Sequence, residues 1–277
     1  MRSPRGNSIH MVNTQPEDQT IFSVMTINIR FGLARDGQNA WERRKDAFVG
    51  LFEKYRPDFI CMQEVNGFQA DFFTCLLSEY GSIGRRLPAP AMWQDVLIFY
   101  KKRWKCLRHQ RFFLSDTPDV PSRMPESKWP RQCVMGEFAR GNARVVCTNT
   151  HFDFDTRAQV KSAAILLDRL ETFASAGAPT VITGDFNAGP GSRCHTAFTD
   201  PALVSPPFSD VFADSRTGTY HGFTGKPLSE RIDWILWRNM KGPVERNIIM
   251  ESFDGTFPSD HFPVYAVFGI GIQFRPG

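Results

Sequence analysis

The chain has 277 residues, of which 42% are hydrophobic and 22% charged, the make-up of a folded globular protein rather than a disordered or collagen-like one. Its longest apolar runs stop far short of the roughly 20 residues that span a bilayer, and a net charge of +4 is too small to announce a nucleic-acid binder, although it suits an anionic substrate. Six cysteines (Cys61, Cys75, Cys106, Cys133, Cys147, Cys194) form no C-x-x-C pair and are too sparse for a disulfide scaffold, so they read as reduced thiols in or near a core.

Residues 1–19 are polar and are expected to be a disordered leader or an added tail; Arg2 and Arg5 are followed by no apolar stretch, so the expected location is the cytoplasm. Residues 20–277 are expected to form one domain. Residues 21–31 alternate β-formers with short polar residues and predict a strand ending near Asn28 and Arg30. Asn39 with Glu42 has the spacing of a capping box, and Ala47, Phe48, Leu51, Phe52 and Tyr55 share one helical face up to Pro57. Residues 58–64 form an apolar run that delivers Glu64 to a strand end, 71–80 read as helix and 95–100 as strand. Pro118, Pro121, Pro125 and Pro130 exclude regular structure from residues 112–131 and predict a long ordered loop. A strand is expected over 144–154, then a second capping box at Thr156 and Gln159 opening a helix that ends near Gly177. Residues 180–183, 232–237 and 264–268 complete the strands. Strands and helices interspersed without a linker or repeat predict an α/β or α+β domain.

Several predicted strand ends carry hard oxygen donors or imidazoles: Asn28, Glu64, Asn149 with His151, Asp185 with Asn187, Asp233, and Asp260 with His261. Any one of these could be a cap or turn former. Together they are chemically coherent, since carboxylate and amide oxygens bind Mg²⁺ or Mn²⁺ and imidazoles contact phosphate or move protons. A serine-hydrolase triad lacks its G-x-S-x-G elbow. A zinc site lacks H-E-x-x-H or cysteine-ligand spacing.

In this order and separation, Thr26-Ile27-Asn28-Ile29-Arg30, Gln63-Glu64-Val65, Asn149-Thr150-His151, Gly184-Asp185-Phe186-Asn187, Arg231-Ile232-Asp233-Trp234-Ile235 and Ser259-Asp260-His261-Phe262-Pro263-Val264 resemble the endonuclease/exonuclease/phosphatase superfamily. The resemblance implies a four-layer α/β/β/α sandwich, two central mixed sheets flanked by helices, with the site at one edge. It also implies a divalent-metal-dependent phosphohydrolase. Glu64, Asn28 and Asp260 are then the metal ligands, with Mg²⁺ or Mn²⁺ as the ion. Asp185 orients or deprotonates the attacking water, Asn187 positions it, His151 contacts the phosphate, and Asp233 pairs with His261 as carboxylate and imidazole. Asn28, Arg30 and Asn149 from the same motifs, with Arg131 from the long loop, are the expected substrate contacts.

The subfamily is less sharply marked. Gly218-Thr219-Tyr220-His221-Gly222-Phe223 replaces the Thr-Trp segment of apurinic-site endonucleases, and Ala188-Gly189 after Asn187 departs from the inositol-polyphosphate phosphatase pattern; the chain is most similar to the broad bacterial branch. A phosphodiesterase or nuclease, acting as a monomer on a phosphoester that includes nucleic acid, is the first expectation. The alternatives are a phosphatase or phospholipase-type diesterase on a small or lipid substrate, or a silent scaffold of the same fold. Lys101, Lys102, Arg103, Lys105, Arg108 and Arg111 around Trp104 read either as a rim for a phosphate backbone or as a solvated hairpin.

Overall fold

The computed structural model describes residues 20–271; the expected leader lies outside them. Among the described residues the strands are β1 (Thr20–Asn28), β2 (Phe59–Val65), β3 (Tyr80–Ile83), β4 (Asp95–Lys101), β5 (Lys105–Phe113), β6 (Gln132–Arg140), β7 (Ala143–His151), β8 (Thr180–Asp185), β9 (Ser209–Asp210), β10 (Asp233–Arg238), β11 (Glu245–Ile248) and β12 (Val264–Ile270). The helices are α1 (Trp41–Arg44), α2 (Ala47–Tyr55), α3 (Gly67–Leu76), α4 (Thr156–Phe173) and α5 (Arg193–Thr199). The strands make two six-stranded sheets, in the orders β11-β12-β1-β2-β4-β3 and β5-β6-β7-β8-β10-β9. Each has one central parallel pair, β1 with β2 and β7 with β8, among antiparallel neighbours.

The period of two along a strand assigns successive side chains to different cores. On β1, Phe22 and Val24 point into the layer between the sheets, where they meet Val145, Cys147 and Val181 of the other sheet. Met25 and Ile27 point the other way, onto Phe48, Leu51 and Phe73 of α2 and α3. The second sheet repeats the scheme, with Val146, Ile182 and Trp234 under Leu166, Leu170 and Phe198 of α4 and α5. Both faces of each sheet are thus covered, giving the α/β/β/α sandwich expected.

Following the inter-sheet positions toward the C-terminal ends of the parallel strands, the layer turns from apolar to polar: Phe22, Val24, Thr26, Asn28; Phe59, Cys61, Gln63; Val145, Cys147, Asn149, His151; Val181, Thr183, Asp185. The first polar rung ties the sheets together. Asn149 on β7 donates from Nδ2 to the carbonyls of Met62 and Leu97 in the opposite sheet, both at 2.9 Å, and its Oδ1 accepts from Gln63 Nε2 at 2.6 Å. Gln63 also donates to Thr26 Oγ1 at 3.0 Å. Asn149 therefore serves as a cross-sheet tie and not as the substrate contact expected of it.

Local starts differ from the sequence reading in ways that side chains explain. No capping box forms at Asn39; residues 37–39 make a 3₁₀ turn and α1 is a single helical turn. Arg44 is buried there and donates to the carbonyls of Asn39, Ile29, Pro258 and Arg30 at 2.7–3.1 Å, pinning the loop after β1 to the loop before β12. The helix expected over 71–80 is α3 at Gly67–Leu76: a capping box of Asn66 and Gln69 opens it earlier, and Tyr80 already begins β3. The cap of α4 is Asp155, one residue before Thr156, and Gln159 instead donates to the carbonyls of Asp153 and Asn187. The proline-rich segment is an ordered loop held by Leu114 N to Arg131 O and by the Ser115–Ser122 hydroxyl pair.

Replacing Asn149 with Ala strands buried donors and acceptors on both sheets, so the unfolding free energy is expected to fall by roughly 3 kcal/mol. Urea denaturation measures it, and a loss below about 1 kcal/mol would show that the tie does not hold the sheets.

Candidate active site

The polar ends of the inter-sheet layer converge on one carboxylate. Asp185, 1% exposed at the end of β8, accepts at Oδ2 from Asn28 Nδ2 of the other sheet at 3.0 Å. The same oxygen lies 3.6 Å from His151 Nε2 and 3.9 Å from His261 Nε2. Its Oδ1 accepts from Asn187 N at 2.9 Å, an Asx turn that sets Asn187 at φ 49°. Gly184 just before it has φ 150°, and a side chain there would strike the Thr150 carbonyl of the paired strand.

Glu64 reaches the site through an irregularity. A register shift between Met62 and Val65 breaks the β2–β4 ladder, and Glu64 sits at φ 62°, a left-handed conformation costly for a non-glycine residue. Regular alternation would send its side chain toward the helices with Ile60 and Met62. The bulge instead brings Oε1 to Asn28 Nδ2 at 3.1 Å and Oε2 to Phe31 N at 2.7 Å. Asp260 lies on the loop before β12, 3.7 Å from Arg30 Nε. The preceding Ser259 Oγ donates to the Asn28 carbonyl at 2.5 Å. Arg30, expected at substrate, is engaged by both carboxylate oxygens of Asp36 at 2.7 and 2.9 Å.

The two histidines are held in opposite states. His261 donates from Nδ1 to Asp233 Oδ2 at 2.9 Å. Burial works against its charge, but Asp233, then Asp185 and Asp260, outweigh it and push the imidazolium up to about 10. His151 is driven well below its ordinary range by burial, by Arg131 and by His261. Its Nε2 accepts from Arg131 Nη1 at 3.0 Å and from Asn187 Nδ2 at 3.3 Å, which places the ring proton on Nδ1. Arg131 is itself oriented by Asp153, at 3.2 Å. Asp185 is raised to about 7, by burial first and by Asp233 second.

Neither Arg44, Asp153 nor Thr219 carried a sequence signal as support for the site. Thr219 Oγ1 accepts the backbone N–H of Ile232 and of Asp233, both at 3.1 Å, and so fixes the start of β10. His221 lies under Phe262 with ring centroids 3.9 Å apart and donates its backbone N–H to the Asp260 carbonyl, at 2.8 Å. The basic turn around Trp104 stands elsewhere. Trp104 is buried and, with Arg103, bonds Asp58 near the start of β2, whereas Glu64 lies at that strand's other end.

The donor set fits a divalent cation. Glu64 and Asp260 offer hard oxygens beside Asn28, whose Nδ2 faces Glu64 and Asp185 and whose Oδ1 accepts from Arg30 N at 2.9 Å, and Asp233 Oδ1 is buried with no hydrogen-bond partner among the described residues. Asp185, Asp233 and His261 also bring ligand atoms within 4.8 Å of one another. His261, however, holds a proton and bonds Asp233, so it is a poor ligand, and the Glu64 side is the better seat. Beside Glu64, Arg131 and His151 opens a cavity of about 230 Å³ walled by Pro90, Met92, Trp93, Trp129 and Pro130.

Residues 25–261 match the model of the Endonuclease/Exonuclease/phosphatase family, a span that contains every one of these groups. The chain belongs to this family. It is 26% identical over 261 residues to an uncharacterized protein of Acanthamoeba polyphaga mimivirus, covering 82% of this chain and 92% of that one. An endonuclease/exonuclease/phosphatase from Bacteroides vulgatus superposes with a TM-score of 0.82 at 25% identity, over 91% of this chain and 99% of that one. A mannosyl-6-phosphatase of Bacteroides thetaiotaomicron superposes with a TM-score of 0.76 at 25% identity, over 90% and 99%.

The pKa directions set a pH dependence for the metal-free protein. His261 rises from 6.5 unfolded to about 10 folded, so its contribution is full below pH 6.5 and is lost as pH climbs toward 10. Asp185, raised from 3.8 to about 7, acts in the same sense at lower pH, because the folded state binds its proton more tightly. Urea midpoints in EDTA are expected to fall steadily between pH 6 and 9, and Mn²⁺ to flatten the slope. A midpoint independent of pH, with or without metal, would contradict this charge balance.

Proposed function

We propose that the chain is a divalent-metal-dependent phosphoester hydrolase in which Glu64 and Asp260, with Asn28 beside them, hold Mg²⁺ or Mn²⁺. When bound, such an ion neutralises charge on the phosphoryl oxygens and makes phosphorus more electrophilic. The observation that carries the reading is the position of Asp185. A buried carboxyl, raised toward neutrality, stands among Asn28, His151 and His261 where strand ends of both sheets meet. Asp185 takes the proton of the attacking water and Asn187 orients that water. The Arg131 guanidinium, whose Nη1 is held by the acceptor Nε2 of neutral His151, holds a non-bridging oxygen. His261, kept cationic by Asp233, faces the developing charge and supplies a proton to the leaving oxygen.

Two substrate readings follow from this chemistry, an extended nucleic-acid diester and a compact phosphoester. The small half-open cavity beside Glu64 and the distance of the basic Trp104 turn from the site favour the compact one. The similarity to a mannosyl-6-phosphatase points the same way.

Hydrolysis of p-nitrophenyl phosphate and of bis-p-nitrophenyl phosphate is expected to require Mg²⁺ or Mn²⁺ and to stop in EDTA. Asp185→Ala and His261→Ala are each expected to lower kcat by about a hundredfold or more, the usual loss of a general acid or base. Full turnover in both variants would remove them from the mechanism, and full turnover in EDTA would remove the metal.

A further inference from the structure

Resting on the hydrolase reading, we infer that the cavity beside Glu64, Arg131 and His151 is a subsite for a ring carried by the phosphoester, which stacks on Trp129. The cavity is continuous with the site, since those three residues line both. At about 230 Å³ it falls below the roughly 300–1,000 Å³ of pockets for drug-sized ligands, a size that suits a single ring. Its walls are flat and apolar: Trp93 and Trp129, with Pro90, Met92 and Pro130.

Two of those walls are large apolar side chains left in water. Trp129 is 51% exposed and Met92 61%, at the mouth of a cleft rather than scattered singly. The Trp93 wall is held in place. Trp93 Nε1 donates to Asp95 Oδ1 at 2.7 Å, the Arg86 guanidinium lies 4.2 Å from the Trp93 ring, and Asn66 Nδ2 donates to the Trp93 carbonyl at 2.7 Å. A wall fixed before binding loses little entropy when a ring seats against it. Gln94 also lines the cavity, its backbone carbonyl held by Gln132 Nε2 at 2.9 Å, and its side-chain amide supplies a donor and an acceptor for a polar ring edge. A pyranose and a nucleobase share this chemistry, a flat face with a hydrogen-bonding rim.

The test is calorimetric binding to the Asp185→Asn protein with Mn²⁺ present, using mannose 6-phosphate, adenosine 5′-monophosphate and ringless glycerol 3-phosphate. At least one ring-bearing ester is expected to bind about tenfold tighter than glycerol 3-phosphate, the order of one stacking contact, and Trp129→Ala is expected to erase the difference. Whichever ester shows the preference identifies the ring. Equal binding of all three, or a preference that survives Trp129→Ala, overturns the subsite. Turnover of the same esters by the native chain is read in parallel: ring selectivity without turnover supports the subsite and removes the hydrolase reading, and turnover without ring selectivity does the reverse.

Discussion

The site depends on one contact across the sandwich, the hydrogen bond from Asn28 of one sheet to Asp185 of the other. Neither sheet alone assembles it. Asn28 and Glu64 end the parallel pair of the first sheet, and His151 and Asp185 end the parallel pair of the second. The contact forms because side chains along a strand alternate, so the residues that fill the space between the sheets and those that meet at its rim belong to the same series. A one-residue slip in either sheet would turn its half of the site toward the helices. The amide tie of Asn149 to Met62, Leu97 and Gln63, one rung below, resists such a slip.

Concentrating carboxylates in a buried rim is unfavourable unless something answers their charge. The chain answers part of it with its own cations: Arg30 beside Asp36 and Asp260, Arg131 beside Asp153, and His261 beside Asp233. Asp185 keeps its proton to near neutrality because it is buried and, second, because it faces Asp233. Burial lowers both histidines, and they separate because Asp233 outweighs it at His261 whereas Arg131 adds to it at His151. Two identical side chains thereby acquire different chemical abilities from their surroundings.

Much of this was legible in the residues. The motifs from Asn28 to His261 meet at one rim of the layer between the sheets, the interspersed strands and helices predict an α/β or α+β domain, and the four-layer sandwich is what the family resemblance of those motifs implies. Other features resisted reading for physical reasons. The strands β3, β5, β9 and β11 have weak or irregular apolar alternation, because edge position or long polar side chains such as those of Arg108 and Arg111 relax the pattern. Strand β6 is buried on both faces, so Gln132, Gly136 and Glu137 interrupt an apolar run that does not alternate. Asn149 has the polarity of a ligand-binding residue, and only its partners show that it joins the sheets. Trp104 amid basic residues has the composition of a nucleic-acid platform, yet its indole is buried against Asp58.

The sequence by itself determined the inventory and its order: which carboxylates, amides and imidazoles are present, on which strand ends, and that hard-cation phosphoester chemistry suits them. Only the tertiary structure decided which of them meet. The bulge that turns Glu64 inward, the buried Arg44 that draws two distant loops together, and the aromatic cavity beside His151 join residues far apart along the chain. Such proximities arise from packing between sheets and loops, which local propensity and spacing along one strand do not encode.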